Sequence, residues 1–341
     1  MEPEFYEKYS RQILFAPLGD QGQRRLLGSR AVLVGCGALG TSLANLLVRG
    51  GVGHLRIVDR DFVEASNLQR QTLFDEQDAR DALPKAIAAE RRLAKINSSV
   101  RIEGVVADLG SENVQELLGG YDVILDGTDN FETRFLVNEA AIKLGVPWVY
   151  GAVVASYGIT MTIRPGETAC LACLVESGAA TAVDETCDTV GVLGAIAGVI
   201  SSIEAAEAMK ILSGNWQALH GRLISCDVWS GRFQSIGIER NLGCRTCAGR
   251  EFRYLEGKAQ PHLTLCGRDS VQIHERNRTL DLAMVAARLA PAATEVRSNE
   301  FLLRFRVAPY ELTVFADGRA IIKGTREPSM ARSLYARYIG S

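Results

Sequence analysis

A glycine-rich turn is the strongest constraint on what this chain can fold into. The apolar run Ala31 to Val34 reads as a strand, and Gly35, Gly37 and Gly40 come after it, spaced G-x-G-x-x-G, ahead of a helical stretch. A strand, a tight glycine turn and a helix start leave unpaired backbone N–H groups facing one point, where a phosphate can sit. The turn alone says only that a nucleotide could bind. A second strand, His54 to Val58, ends at Asp59, whose carboxylate could accept from both ribose hydroxyls. NAD and ATP both carry that ribose.

The residues beyond Asp59 separate the two. Asp61, Asn67, Gln69 and Arg70 fall in a polar stretch, and Lys85 stands behind Pro84 at a helix start. Two cations with amide donors suit a triphosphate better than a dinucleotide pyrophosphate, because a leaving pyrophosphate needs its growing charge neutralised. A fourth strand, Tyr121 to Leu125, closes in DGTDN. This places Asp126 and Asp129 at a carboxyl edge of the sheet, where one of them could hold Mg²⁺.

GCGALG, VDRD, SNLQRQ, the Pro84-Lys85 pair and TDNFETR occur in this order. The set resembles the adenylyltransferases of the ubiquitin-activating superfamily, the bacterial MoeB, ThiF and HesA proteins, over Tyr6 to Glu256. The resemblance implies an ATP- and Mg²⁺-dependent nucleotidyltransferase. Its expected substrate is the C-terminal Gly-Gly carboxylate of a small ubiquitin-like sulfur carrier, adenylated with release of pyrophosphate for later thiocarboxylate or thioester formation in molybdopterin, thiamine or thiolation chemistry. It also implies roles: Asp59 on the ribose; Asn67, Arg70 and Lys85 on the phosphates; Asp129 on Mg²⁺. Asp61 is a further candidate contact to the nucleotide, ranked below Asp59, or a turn residue. Arg11, in the YSRQI motif, matches the arginine that the family reaches across a homodimer interface to the partner's ATP. Two rivals share parts of this pattern: an NAD-dependent oxidoreductase, and a tRNA-modifying dehydratase of the same superfamily. A third possibility is a non-catalytic scaffold for a carrier-protein assembly.

The cysteines divide into groups. Cys170 with Cys173 and Cys244 with Cys247 each form C-x-x-C. Two such knuckles make the Cys₄ tetrahedron of a structural Zn²⁺ site if the fold brings them together, as the family does. Cys36 and Cys226 lie in apolar surroundings and read as packing residues, and Cys266 reads as a poor start for an anion-binding loop. Cys187, in the small-residue stretch SGAATAVDETCDTVG before a helix, is expected to be an accessible thiol with a lowered pKa. The resemblance implies a covalent sulfur or thioester acceptor in this loop; the alternative is a loop thiol without a role.

Strands and helices alternate up to Pro147, which predicts a Rossmann-like, mainly parallel sheet with helices on both faces. Tyr157 to Arg164, Arg222 to Val228 and Arg232 to Ile238 come without intervening crossovers and predict an antiparallel extension, the half expected to bind the protein substrate. Residues 1–256 are expected to form an ATP-binding adenylyltransferase domain with zinc knuckles. Residues 257–341 are expected to form a small α+β accessory domain, with a hairpin at Asp317-Gly318 and a docking or dimer-supporting role. With 47% hydrophobic and 23% charged residues the chain has material for such cores, and a formal charge of −2 gives no electrostatic case for nucleic acid. The polar N-terminus lacks the apolar centre of a signal peptide. Ser201, Ser202, Glu204, Glu207 and Lys210 interrupt the apolar run Gly191 to Leu212, so it reads as a core helix and not a membrane span. A cytoplasmic enzyme, with no membrane partner, is the expectation.

Overall fold

The computed structural model describes residues 3–175, 190–258, 270–274, 280–289, 293–299, 301–316, 318–325 and 327–340. Its larger sheet contains β1 (Arg30–Val34), β2 (His54–Asp59), β3 (Arg101–Val106), β4 (Val123–Asp126), β5 (Trp148–Val154), β6 (Tyr157–Ile163), β7 (Leu223–Asp227) and β8 (Arg232–Ile236), in the order β3-β2-β1-β4-β5-β6-β7-β8. Strands β1 to β5 pair in parallel, and β5 to β8 pair antiparallel. The switch is local in origin. β5 turns directly into β6 at Val154↔Tyr157, with Ala155 at φ 51°, so no crossover helix is inserted and the next strand must run back.

Alternation along the parallel strands fills two cores. Leu33, Leu55, Ile57, Leu125 and Val149 pack with the Ala38–Gly50, Lys85–Ile96 and Gly194–Ser213 helices. Their neighbours Val32, Val34, Val58, Ile124 and Trp148 pack on the opposite face with Val114–Leu118 and Phe131–Leu144. The Ala38–Gly50 helix shows why such segments form. Leu39, Leu43 and Leu47 recur on one buried face, and Gly51 at φ 84° ends the helix in the left-handed cap that glycine adopts without strain.

The Gly194–Ser213 helix starts three residues later than the apolar run suggests, and Ser201, Glu204 and Glu207 on it are buried, as a core helix requires. Among the described residues no helix is long and apolar enough to cross a membrane. Strand β4 starts at Val123, not Tyr121. Helices Pro3–Ile13, Gly19–Gly28 and Glu76–Arg80 were not apparent from patterning. The last of these is capped by Asp75, whose side chain accepts from the Gln77 and Asp78 amides, and it occupies the stretch between Arg70 and Lys85.

Contacts divide the chain into two units, Met1–Ala259 and Gln260–Ser341. In the second, β9 (Ser270–His274), β10 (Thr294–Ser298), β11 (Leu302–Val307), β12 (Tyr310–Phe315) and β13 (Arg319–Lys323) form an antiparallel sheet in the order β10-β11-β12-β13-β9. The Leu282–Leu289 and Pro328–Tyr338 helices pack on it around Phe305, Leu312, Val314 and Tyr335. Gly318, at φ 83°, sits between β12 and β13 and accepts from the Tyr335 hydroxyl at 2.6 Å. Its expected hairpin partner Asp317 lies outside the described residues.

Candidate nucleotide crevice and cysteine cluster

The strand order reverses at β1, which has β2 on one side and β4 on the other. Chain crossovers therefore diverge there and leave a crevice beyond the carboxyl ends of the strands, the usual ligand site of such sheets. The glycine turn seals one wall of it. A Cβ on Gly35 (φ 87°) would lie 2.5 Å from the Gly127 carbonyl oxygen; one on Gly40 would meet the Gly35 oxygen at 2.1 Å, and one on Gly127 the same oxygen at 2.2 Å. These three glycines pack backbone on backbone. Gly37 differs: a Cβ there would find its nearest atoms, the Gln71 side-chain nitrogen and the Gly127 oxygen, at 3.9 Å. That open side faces where a phosphate can approach the helix start.

Asp59 closes β2 beside this turn. One carboxylate oxygen accepts from the Cys36 amide at 2.5 Å and the other from the Asp61 amide at 2.7 Å. Burial pushes its carboxyl up to about 6, with Lys85 opposing and Asp61 reinforcing the rise. It is still mostly ionised at neutral pH. Lys85 opens its helix through Lys85 N–H to the Asp61 carbonyl at 2.8 Å, and its Nζ donates to the Asp61 carboxylate at 3.1 Å. Burial alone would lower this ammonium, but Asp61 and Asp59 outweigh it, with Asp129 adding to them, and hold it above the ordinary lysine range. Asp61 thus acts as the fixed counter-ion of Lys85, a part that the sequence did not assign to it.

Asn67 is buried and accepts from the Glu64 amide at 3.0 Å, so it shapes the turn ahead of Arg70. Arg70 donates to the Ser66 carbonyl at 2.9 Å and is half-exposed. The start of the Gly194–Ser213 helix crosses next to it: a Cβ on Gly194 would lie 3.5 Å from the Arg70 Cα. The two aspartates of DGTDN separate cleanly. Asp126 is 1% exposed and turned inward, where its free oxygen lies 3.6 Å from Arg134 Nε. Asp129 is exposed at the strand edge. Of the pair, only Asp129 offers a carboxylate to the crevice, a hard oxygen donor suited to a cation that keeps several waters. Arg11 is exposed on the Pro3–Ile13 helix, while its neighbours Tyr9 and Gln12 anchor inward to Asn97 and Gly50. Among the described residues no hydrogen bond or ion pair joins Arg11 to the crevice of its own chain.

The second constellation is the cysteine cluster. Cys170 Sγ is 3.8 Å from both Cys173 and Cys244, Cys173 is 3.5 Å from Cys247, and all four sulfurs lie within 4.8 Å of one another. Zn–S bonds of about 2.3 Å in a tetrahedron place sulfurs about 3.8 Å apart. The donor set and spacing therefore fit zinc, and none of these thiols is in a disulfide. Arg240 ties the knuckles together, donating to Gly166 at 2.7 Å and to the Cys247 carbonyl at 3.1 Å. Asn138, for which its place on the helix after TDN leaves a ligand contact and a structural bond equally open, accepts from the Leu171 amide at 3.0 Å and supports the first knuckle. Cys36 and Cys226 are buried, as expected of packing residues. Cys187 and Cys266 lie outside the described residues.

Residues 9–246 match the ThiF family. A Bacillus subtilis relative, "Sulfur carrier protein ThiS adenylyltransferase", is 42% identical over 98% of this chain and 99% of its own length. The chain belongs to the ThiF family. An Escherichia coli relative of the same description is 35% identical over 73% of this chain and 98% of its own length. A crystal structure of E. coli MccB with ATP superposes with TM-score 0.62 at 20% identity, covering 72% of this chain and 76% of that one, which supports the fold. For a ThiF-family chain, ATP use is implied by the family.

Two buried residues lie near the crevice: Arg134, whose place on the helix after TDN leaves a ligand contact and a structural bond to the loop equally open, and Glu204, which the sequence does not single out as part of a site. Arg134 donates to the Thr128 and Gly151 carbonyls at 2.7 and 3.2 Å. Glu204 is fully buried, with both carboxylate oxygens lacking a hydrogen-bond partner. Burial, with the Asp126 charge adding to it, holds its carboxyl well above the usual range. The available signal was an acidic residue inside an apolar helix.

Proposed function

We propose that this ThiF-family chain is an adenylyltransferase that activates the C-terminal carboxylate of a small ubiquitin-like sulfur carrier ending in Gly-Gly. The observation that carries the reading is the convergence on one crevice of an open glycine cradle at Gly37, the buried carboxylate Asp59 and the cation Lys85, in a chain whose near-full-length relative is described as a carrier-protein adenylyltransferase. In this reading Gly37 opens the turn to phosphate, and Gly35, whose own amide is donated to the Val58 carbonyl at 2.8 Å, packs with Gly40 to hold the turn tight. Asp59 holds the ribose, Asn67, Arg70 and Lys85 bind the polyphosphate, and Asp129 holds Mg²⁺. The carrier carboxylate is ionised at neutral pH and needs no general base. It attacks the α-phosphorus, the bond to the β,γ-pyrophosphate breaks, and acyl-adenylate and pyrophosphate result. Lys85 would exchange its Asp61 partner for phosphate oxygen, and Mg²⁺, when bound, neutralises part of the leaving group's charge.

Arg11, facing outward, would complete the partner subunit's site in a two-fold homodimer. Zn²⁺ would fill the Cys170, Cys173, Cys244 and Cys247 cluster and hold the two knuckles, a structural role because no position is left open. The carrier would dock on the antiparallel extension, where Trp229 and Phe233 are 83% and 63% exposed. Later transfer would pass through Cys187 or directly to a sulfur donor protein. Residues 1–256 would be the adenylating domain and 257–341 an accessory one, with the enzyme in the cytoplasm. Pyrophosphate exchange into ATP that depends on a Gly-Gly-ending carrier tests the reading. Exchange without any carrier requirement, or ATP-independent NAD binding, would overturn it.

A further inference from the structure

The turn that carries Asp129 is gripped from below by two buried charges that nucleotide contact leaves without a role. Asp126 accepts from the Thr128 amide at 2.9 Å and the Thr128 hydroxyl at 2.7 Å with one oxygen, and its other oxygen lies 3.6 Å from Arg134 Nε. Arg134, from the Phe131–Leu144 helix, sends one nitrogen to the Thr128 carbonyl at 2.7 Å and to the Gly151 carbonyl of β5 at 3.2 Å. Asn130 is spent as well, its side chain accepting from the Thr133 amide at 2.9 Å to cap that helix. The Asn130 side-chain amide nitrogen also reaches the Asp129 carboxylate, at 3.3 Å; Thr128 is engaged inward, and in the Gly127–Asn130 turn Asp129 alone is exposed.

We propose that Arg134 and Asp126 are positioning residues that fix the Gly127–Asn130 turn and thereby set where Asp129 presents its carboxylate to a divalent cation. The proposal rests on the assignment of Asp129 to that cation. Stability does not account for the pair, because desolvating two charges costs about as much as their attraction returns, and an apolar pair of the same shape would serve as well. What an apolar pair lacks is the set of directed bonds to Thr128 and Gly151. Gly151 is itself backed on the other face of the sheet: a Cβ there would lie 1.4 Å from Glu204 Oε1, so the buried Glu204 fills the space that a side chain at 151 would take. The carbonyl that Arg134 grips is therefore held from behind.

The test uses Arg134→Met, Asp126→Asn and the two together, with Mn²⁺ binding in the presence of ATP monitored by electron paramagnetic resonance and ATP affinity measured separately in a chelator. Loss of such outer partners of a metal ligand costs about 10–100-fold in metal affinity, so Mn²⁺ should bind at least about tenfold more weakly. ATP affinity in the chelator should be unchanged, because Asp59 and the glycine turn are untouched, and Arg134→Lys should recover part of the Mn²⁺ affinity. Arg134→Met alone leaves Asp126 buried without its partner and could fail to fold; the double variant carries no such charge. Thr128→Val, which deletes one bond of the grip and no charge, carries the test if both fail. Wild-type Mn²⁺ affinity in the folded variants, or an equal loss of ATP affinity without metal, overturns the proposal. Absence of carrier-dependent exchange in the unmodified enzyme would sink the adenylation reading while leaving these titrations able to decide the role of the clamp.

Discussion

The crevice at the ends of β1, β2 and β4 and the antiparallel extension at β6 to β8 are built from one sheet by opposite rules. In the crevice nearly every polar group is already committed: Asp59 to two amides, Lys85 to Asp61, Asp126 to Thr128 and Arg134. In the extension, β8 is exposed at all its residues and large aromatics stand free. The first region suits chemistry that needs charges fixed before the ligand arrives. The second suits a surface that gains energy by being covered. The contrast suggests that nucleotide and protein substrate are recognised by different physics on adjoining halves of one sheet, and that each half can be damaged without the other.

Arg70→Ala should show the largest effect on the crevice side, lowering pyrophosphate exchange about 10²–10³-fold, as loss of one transition-state charge partner does, with little change in melting temperature. Exchange at the wild-type rate would remove Arg70 from the phosphates. Cys244→Ser, in a region that serves neither half chemically, should lower bound zinc and Tm together, by roughly 10 °C, because structural metal binding is folding energy. Undiminished Tm with no zinc by elemental analysis would show the thiols to be idle. On the extension side, Trp229→Ala combined with Phe233→Ala should raise the KM for the carrier about tenfold and leave the KM for ATP unchanged, since exposed aromatics dominate interface energetics. An equal rise in both would break the division between the halves.

The smallest effect is the most diagnostic of how the crevice is charged. Burial lifts the Asp59 carboxyl from 3.8 to about 6, so between those pH values the unfolded chain has shed a proton that the fold retains. The wild type therefore loses stability relative to Asp59→Asn as pH rises through that window, and the variant should melt a few degrees higher at pH 8 with no advantage at pH 3.5. It should also bind ATP more weakly at both. A variant less stable at pH 8 would show that the carboxylate supports the fold and not the ligand.

How much of this was legible in the sequence divides along the same line. The glycine turn, Asp59, Lys85 and the cysteine knuckles announce themselves because backbone geometry and ligand chemistry restrict which residues can stand there, and strand and helix periods placed them well. The helix at Lys85 begins where Pro84 said it would. From the residues alone Asp126 stood level with Asp129, since both stand in the same short turn and only the side of the sheet distinguishes them; it was the family resemblance that put the cation on Asp129. Arg134 was legible as a residue turned toward the site, its bond to the nearby loop being one of two open readings, whereas Glu204 was hidden because it backs a glycine far away in sequence, which leaves no pattern in the chain. Strands β10 and β11 were missed because Arg297, Arg304 and Arg306 interrupt their apolar alternation, which tertiary pairing tolerates.

The mutual contact of Gly35, Gly40 and Gly127 has an evolutionary consequence. Because two of the three would strike the same carbonyl oxygen, that of Gly35, a substitution at Gly40 that pushes it aside also shifts what Gly127 packs against. Damage at these positions should therefore not add. A second alanine would cost less than the first, since the seal is already broken, and the route back would need two reversions at once. Such a triplet should resist gradual drift, being kept whole or lost whole, whatever happens to the surfaces around it.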